Sequence, residues 1–233
     1  MKRFYDTVGV AAADDGQWQV TLDGRGIKTV KGTPQLVASE ALARALASEW
    51  DAQGEDLDPK SFPGRDMVDY AIDVVAPDRA AIAEKLVAYG DTDTLLYRAD
   101  PEEALYARQQ EIWEPIVAAF EQREGVELVR VSGILHRPQS DQAMATLRAR
   151  LDGLAPLALA GIEAMANLAA SLVIGLSASE EAADALALWR AASLEEEWQA
   201  DLWGRDFEAE ERRAKREADF LKAHELTRLA LGA

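Results

Sequence analysis

The chain contains no cysteine. Disulfides, thiolate nucleophiles and cysteine-held zinc are therefore excluded, and the composition fits a reducing compartment. Histidine is nearly as scarce: His136 and His224 are the only two, and neither stands in an HxxxH or HxxE frame. That removes the usual spacing for metal ligation and for a histidine-based triad, leaving two ordinary loop or surface residues. Basic charge is short as well. Lys and Arg number 25 against 42 Asp and Glu, a formal net charge of −17. So acidic a chain lacks the clustered cations that bind nucleic-acid phosphates, and an anionic membrane surface repels it. The serine elbow, the Walker-type glycine loop and the dinucleotide fingerprint are all missing.

Long apolar runs are also few. The one candidate, residues 151–178, is built largely from Ala and interrupted by Asp152, Pro156, Glu163 and Asn167. Charges are costly in a bilayer and Ala inserts weakly, so a buried core helix is expected and no membrane insertion. The opening residues Met1–Asp6 have neither an apolar h-region nor an Arg-rich amphipathic stretch. No secretory signal or transit peptide is expected.

What is present suits a globular protein. Hydrophobic residues make up 48% of 233, enough for one large domain or two small ones. Charge is unevenly placed. Residues 1–35 set Lys2, Arg3, Arg25, Lys28 and Lys31 against Asp6, Asp14, Asp15 and Asp23, a net +1, so all of the net negative charge lies in the remainder.

Residues 17–22 alternate and are rich in strand formers; Asp23-Gly24 follows, then residues 25–30. Asp-Gly between two such runs predicts a β-hairpin. Ser39 should cap a helix carrying Leu42, Leu46 and Trp50 on one face. Residues 54–64 read as loop and residues 67–75 as helix up to Pro77. Asp78 should cap the next helix, which breaks at residues 90–94. Asp100-Pro101-Glu102-Glu103 is a helix-start pattern, Pro115 should kink or end that helix, and residues 126–131 are a strand candidate. From Ser140 onward the chain reads helical, with segments at 144–151, 157–176, 179–203 and 207–231 and a capping box at Ser177–Glu180. The expected fold is α+β and mainly helical: a small α+β N-terminal domain with a β-hairpin sheet over residues 1–75, and a larger all-helical C-terminal domain over 76–233.

Two features could carry chemistry. Asp91 and Asp93 stand two apart, as nucleophile and metal ligand do in some phosphotransferases. A metal-dependent phosphoryl hydrolase is thus one alternative, although the preceding residues carry helical rather than strand periodicity. The second feature is Glu195. On a helix it shares a face with Leu188, Ala191, Leu194, Trp198 and Leu202, whereas Glu196 and Glu197 should point to solvent. A carboxylate on an apolar face is either paired inside the fold or used on a partner.

The ordered set Arg3-Phe4-Tyr5, Leu22-Asp23-Gly24-Arg25, Glu49-Trp50-Asp51-Ala52-Gln53, Thr92-Asp93, Tyr97-Arg98, Gln109, Trp113-Glu114-Pro115, Leu194 to Gln199 and Trp203-Gly204 resembles the ATP12 family. These are assembly chaperones for the alpha subunit of the F-one sector of ATP synthase. The resemblance implies no catalysis and no cofactor or metal. It also implies a monomer that holds free alpha subunit until beta replaces it, and a bacterial cytoplasmic setting. Partner contacts are implied at Glu195, Trp198, Gln199 and Trp203, and also at Trp50, Gln53 and Asp93. Ser193 departs from the family's usual Arg, which removes an intrahelical partner for the glutamates. A helical scaffold for another protein client is the remaining alternative.

Overall fold

The computed structural model describes residues 1–133 and 135–232. Its first strand, β1 (Val8–Ala12), has no aromatic residue and lies ahead of the expected hairpin. It pairs antiparallel with β2 (Trp18–Leu22), Val8 opposite Leu22 and Ala12 opposite Trp18. The hairpin turn leads on to β3 (Arg25–Gly26), giving the sheet order β1-β2-β3. Asp23 and Gly24 take φ of 49° and 75°, the doubly positive geometry that a two-residue hairpin turn demands.

Ser39 caps α1 (Glu40–Asp51) by accepting from the Leu42 amide at 3.2 Å. Leu42, Leu46 and Trp50 are buried against the sheet. Phe62 follows a short 3₁₀ turn, and α2 (Pro63–Tyr70) starts earlier than the spacing predicts. Glu49 explains the early start: its carboxylate accepts from the amides of Gly64 at 2.8 Å and Arg65 at 3.0 Å, capping a helix whose own N-cap residue is Phe62.

The expected break at Pro77 does not occur. After α2 the chain makes a π turn (Ala71–Val75) and a 3₁₀ turn (Ala76–Asp78), then continues as α3 (Arg79–Asp91). Pro77 falls in the first turn of the 3₁₀ segment, where its missing N–H is not needed, so the helical path runs on past it.

After Asp93 come a 3₁₀ turn, β4 (Tyr97–Arg98) and α4 (Ala104–Glu124). The helix starts at Ala104 rather than on an Asp100 cap; Asp100 instead accepts from the Glu102 amide in a preceding turn. It also runs through Pro115, because a buried stripe of Gln109, Trp113, Val117 and Phe120 anchors it on both sides. Of the strand candidate 126–131, only its last residue pairs: β5 (Val131–Ser132) lies parallel to β4.

Ser140 caps α5 (Asp141–Asp152). The predicted helix over 157–176 is two helices, α6 (Pro156–Ala169) and α7 (Leu172–Ala178). Ala170 takes φ of 49° between them, and Ser171 caps the second. The predicted helix over 179–203 likewise divides into α8 (Ala185–Ala192) and α9 (Leu194–Trp203). Ser177 and Glu180 form no capping box; Ser177 sits in the last turn of α7, and Asp184 caps α8. The chain ends in α10 (Phe207–Leu231). Among the described residues no helix is long and apolar enough to cross a membrane.

Two compact units result. One takes Met1–Arg79, Ala155–Gly161 and Glu225–Ala233; the other takes Ala80–Leu154 and Ile162–His224. The first is therefore not one stretch of chain. Its core gathers Val20 and Leu22 from the sheet, Leu42, Leu46 and Trp50 from α1, and fully buried Leu226 from α10. Within it α6 and α10 meet at Gly161: a Cβ there would stand 1.9 Å from Thr227 Oγ1. Gly161→Ala should therefore destabilise by roughly 1–3 kcal/mol through overpacking, lowering Tm by several degrees in a thermal melt. The second unit is built on Trp113, Val117 and Phe120 of α4, the wholly buried α7, and Trp189 and Phe220. Trp113 Nε1 donates to the Ala191 carbonyl at 2.7 Å, so the one polar atom of that large ring is satisfied.

Candidate functional site

Ser193, with φ −87° and ψ 6°, separates α8 from α9, so the apolar stripe predicted across that point is not continuous. Leu194 is buried and Trp198 half-buried, but Leu202 is 60% exposed. The three glutamates divide their roles. Glu196 and Glu197, expected to be solvated, are tied to α10. Glu196 meets Arg216 at 2.8 Å; Glu197 meets Arg213 at 2.6 Å and Arg205 of the connecting turn at 3.0 Å. The sequence spacing missed these pairs because it considers one helix at a time.

Glu195 is exposed, as Glu196 is, but it is not tied to α10. Its Oε1 accepts from Gln109 Nε2 at 2.7 Å. Gln109 is fully buried on α4 and fully used: its Oε1 accepts from the Ala99 amide at 2.8 Å, and its carbonyl accepts from Arg98 Nη1 at 3.0 Å. This amide joins the residue after β4 to the start of α9. Crowding by surrounding protein raises the Glu195 pKa, and the Gln109 bond partly offsets that. Gln109 was visible in sequence as a polar residue four places from both Leu105 and Trp113, a position that only a satisfied buried amide or a functional group tolerates.

These elements wall a cleft of about 1180 Å³. Tyr97, Arg98 and Ala99 form one side; Glu195, Gln199 and Trp203 of α9 form another. Arg98 is held beneath by Glu114 at 3.1 Å, and Glu114 also meets Arg130 at 2.7 Å. At the rim, Trp203 is 82% exposed, yet its indole N–H donates to Gln199 Oε1 at 2.9 Å. Phe207, just past the turn, is 81% exposed.

Of the seven residues named from sequence, the structure gathers Glu195, Gln199 and Trp203 at this cleft, with Trp198 on the same helix. The other three are interior residues. Trp50 packs between Tyr5 and Phe62 at centroid distances of 5.7 and 4.6 Å. Gln53 donates to the Glu49 carbonyl and to Ser61 Oγ, and accepts from the Asp58 amide. Asp93 is completely buried, its oxygens accepting from the amides of Leu95 at 3.0 Å and Val173 at 2.8 Å. Burial pushes its pKa up to about 6 against the pull of these hydrogen bonds. All three are largely interior and build the fold, although Trp50 also lines a pocket beside Phe4 and Arg25.

Asp91 and Asp93 do not form a shared site either. Asp91 accepts from the Gln139 amide at 2.8 Å and faces His136 at 3.3 Å, whose other ring nitrogen meets the Tyr97 hydroxyl at 2.9 Å. Among the described residues no group of three or more metal-ligating side chains forms.

Residues 2–121 match the ATP12 chaperone protein family. The chain is similar to mitochondrial atp12 of Schizosaccharomyces pombe, 27% identical over 208 residues that span 82% of this chain and 69% of that one. Its structure is similar to Atp12 from Paracoccus denitrificans, with a TM-score of 0.92, 35% identity and 98% of each chain covered. A protein from Agrobacterium tumefaciens matches with the same TM-score and identity, over 99% of this chain and 86% of that one.

Proposed function

The chain belongs to the ATP12 chaperone family, whose work is ATP synthase assembly, and from that premise we propose that its client is the free alpha subunit of the F-one sector, held until beta displaces it. A subunit without its neighbour exposes an apolar interface that invites aggregation. Its chaperone must cover that surface and still let go, which calls for an interface of moderate size with polar content.

The observation that carries the reading is the Glu195 carboxylate. It is exposed at a large cleft, bonded to a neutral amide, and without a cation among the described residues. Of the two roles open to it, internal ion pair or partner contact, this favours the second. Polar contacts of that kind fix register and partner choice more than they add affinity. The likeness to chains from Paracoccus and Agrobacterium supports a bacterial setting for this work.

Tagged protein purified from cells lacking beta subunit should bring alpha with it, and added beta should release it. Recovery of alpha no higher than from an untagged control would end the proposal.

A further inference from the structure

We propose that the corner where α9 turns into α10 captures a client segment in which a Lys or Arg stands beside a bulky apolar side chain, an inference that rests on the client reading above. Two independent observations meet there.

The first is apolar. Leu202, Trp203 and Phe207 are 60%, 82% and 81% exposed within six positions of one another. Single exposed apolar residues are ordinary, but three large ones around one turn mark a contact surface. The corner that carries them is also held in place. Trp203 is fixed by Gln199, and the turn between the helices is clamped by Arg205, which meets Glu197 and Asp201 at 3.0 Å and Glu210 at 3.3 Å. An aromatic side chain that is exposed and already immobilised gives up little entropy on binding, as an interface anchor should.

The second is charge. The cleft behind Trp203 contains both signs, but its cations are already engaged. Arg98 is paired with Glu114, Arg213 with Glu197 and Glu210, and Arg216 with Glu196; Arg212 lies 3.7 Å from Glu208. Asp100, Glu103 and Glu195 have no cation partner among the described residues. They are not scattered: Gln109 bonds both Glu195 and the Ala99 amide, bringing the residue before Asp100 to the start of α9. The uncompensated charge of the cleft is thus negative, and a cationic side chain with an apolar neighbour is the complement.

The test places the photo-crosslinking residue benzoylphenylalanine at position 203 and irradiates the purified complex with alpha subunit. The crosslinked client peptide should carry a Lys or Arg close to an apolar side chain. In parallel, Trp203→Ala and Phe207→Ala should each weaken alpha binding by about 30-fold, as interface anchors do. Glu103→Lys should weaken it at least about tenfold, with the loss shrinking as salt rises. Unchanged affinity in both aromatic variants, or a crosslinked peptide without a basic residue, would overturn the inference while leaving alpha as client. A wild-type protein that forms no alpha complex would overturn the client reading and this inference with it.

Discussion

Replacing Asp93 by Ala is expected to lower Tm by about 10 °C at pH 7.5, and by several degrees more at pH 5. Two terms compete. The carboxylate supplies acceptors to the amides of Leu95 and Val173 inside the protein. Orphaning a buried amide costs roughly 1–3 kcal/mol, so losing both costs about 4. Against this, burial disfavours the charged form and lifts the pKa from 3.8 to about 6. Because the folded protein holds this proton more tightly than the unfolded chain, the associated stability is fully present below the unfolded value and is lost as pH rises through about 6. The side chain therefore contributes more at pH 5 than at pH 7.5, by about 1–2 kcal/mol. The variant should lack that dependence. Asp93→Asn should fall between the two, since its amide offers one acceptor oxygen where the amides of Leu95 and Val173 and the Ser171 hydroxyl all wait. Melting curves of the three proteins from pH 5 to 8 decide the matter. A wild-type minus Asp93→Ala difference that stays flat across this range would refute the titration.

The second large effect is on binding rather than on folding. Glu195→Lys should weaken capture of alpha subunit by roughly 30- to 1000-fold, the range for reversing one partner of a close charge pair at an interface. Its Tm should fall by about 3–8 °C, because the Lys cannot accept from the buried Gln109 N–H that Glu195 satisfies, which costs roughly 1–3 kcal/mol. The two readings of this carboxylate thus separate cleanly. Capture lost while the variant is still folded supports a client contact; capture that merely follows the folded fraction supports a structural role.

What could be read in advance was local. The Asp23-Gly24 turn and the Ser39 cap depend on neighbours in sequence, and each is where the spacing put it. What could not be read was set from afar. Near Ala170 the local mark is the Ser171 cap, and the apolar spacing runs straight past it. The stop is imposed by Asp93, 80 positions from Val173, and by Thr94, which donates its hydroxyl to the Ala170 carbonyl at 2.8 Å. The same holds for Glu196 and Glu197, whose cations sit on α10, and for the early start of α2, whose cap comes from Glu49 on α1. The motif around Trp50 accordingly reads as functional in one dimension and structural in three. Its Glu, Trp and Gln hold α1 to the loop and helix that follow.

The core of the first unit closes over Leu226, with Leu157 and Leu229 packed against it. During synthesis, then, the opening strands and α1 leave the ribosome long before the side chain that seals them exists. For most of translation the hairpin sheet has an open apolar face, so a chaperone for another protein's unfinished surface is itself exposed in the same way while it is being made. Folding of the first unit should wait until Leu226 has left the ribosome. A stop codon ahead of Leu226 should give a product that aggregates, even though every residue of the sheet is present.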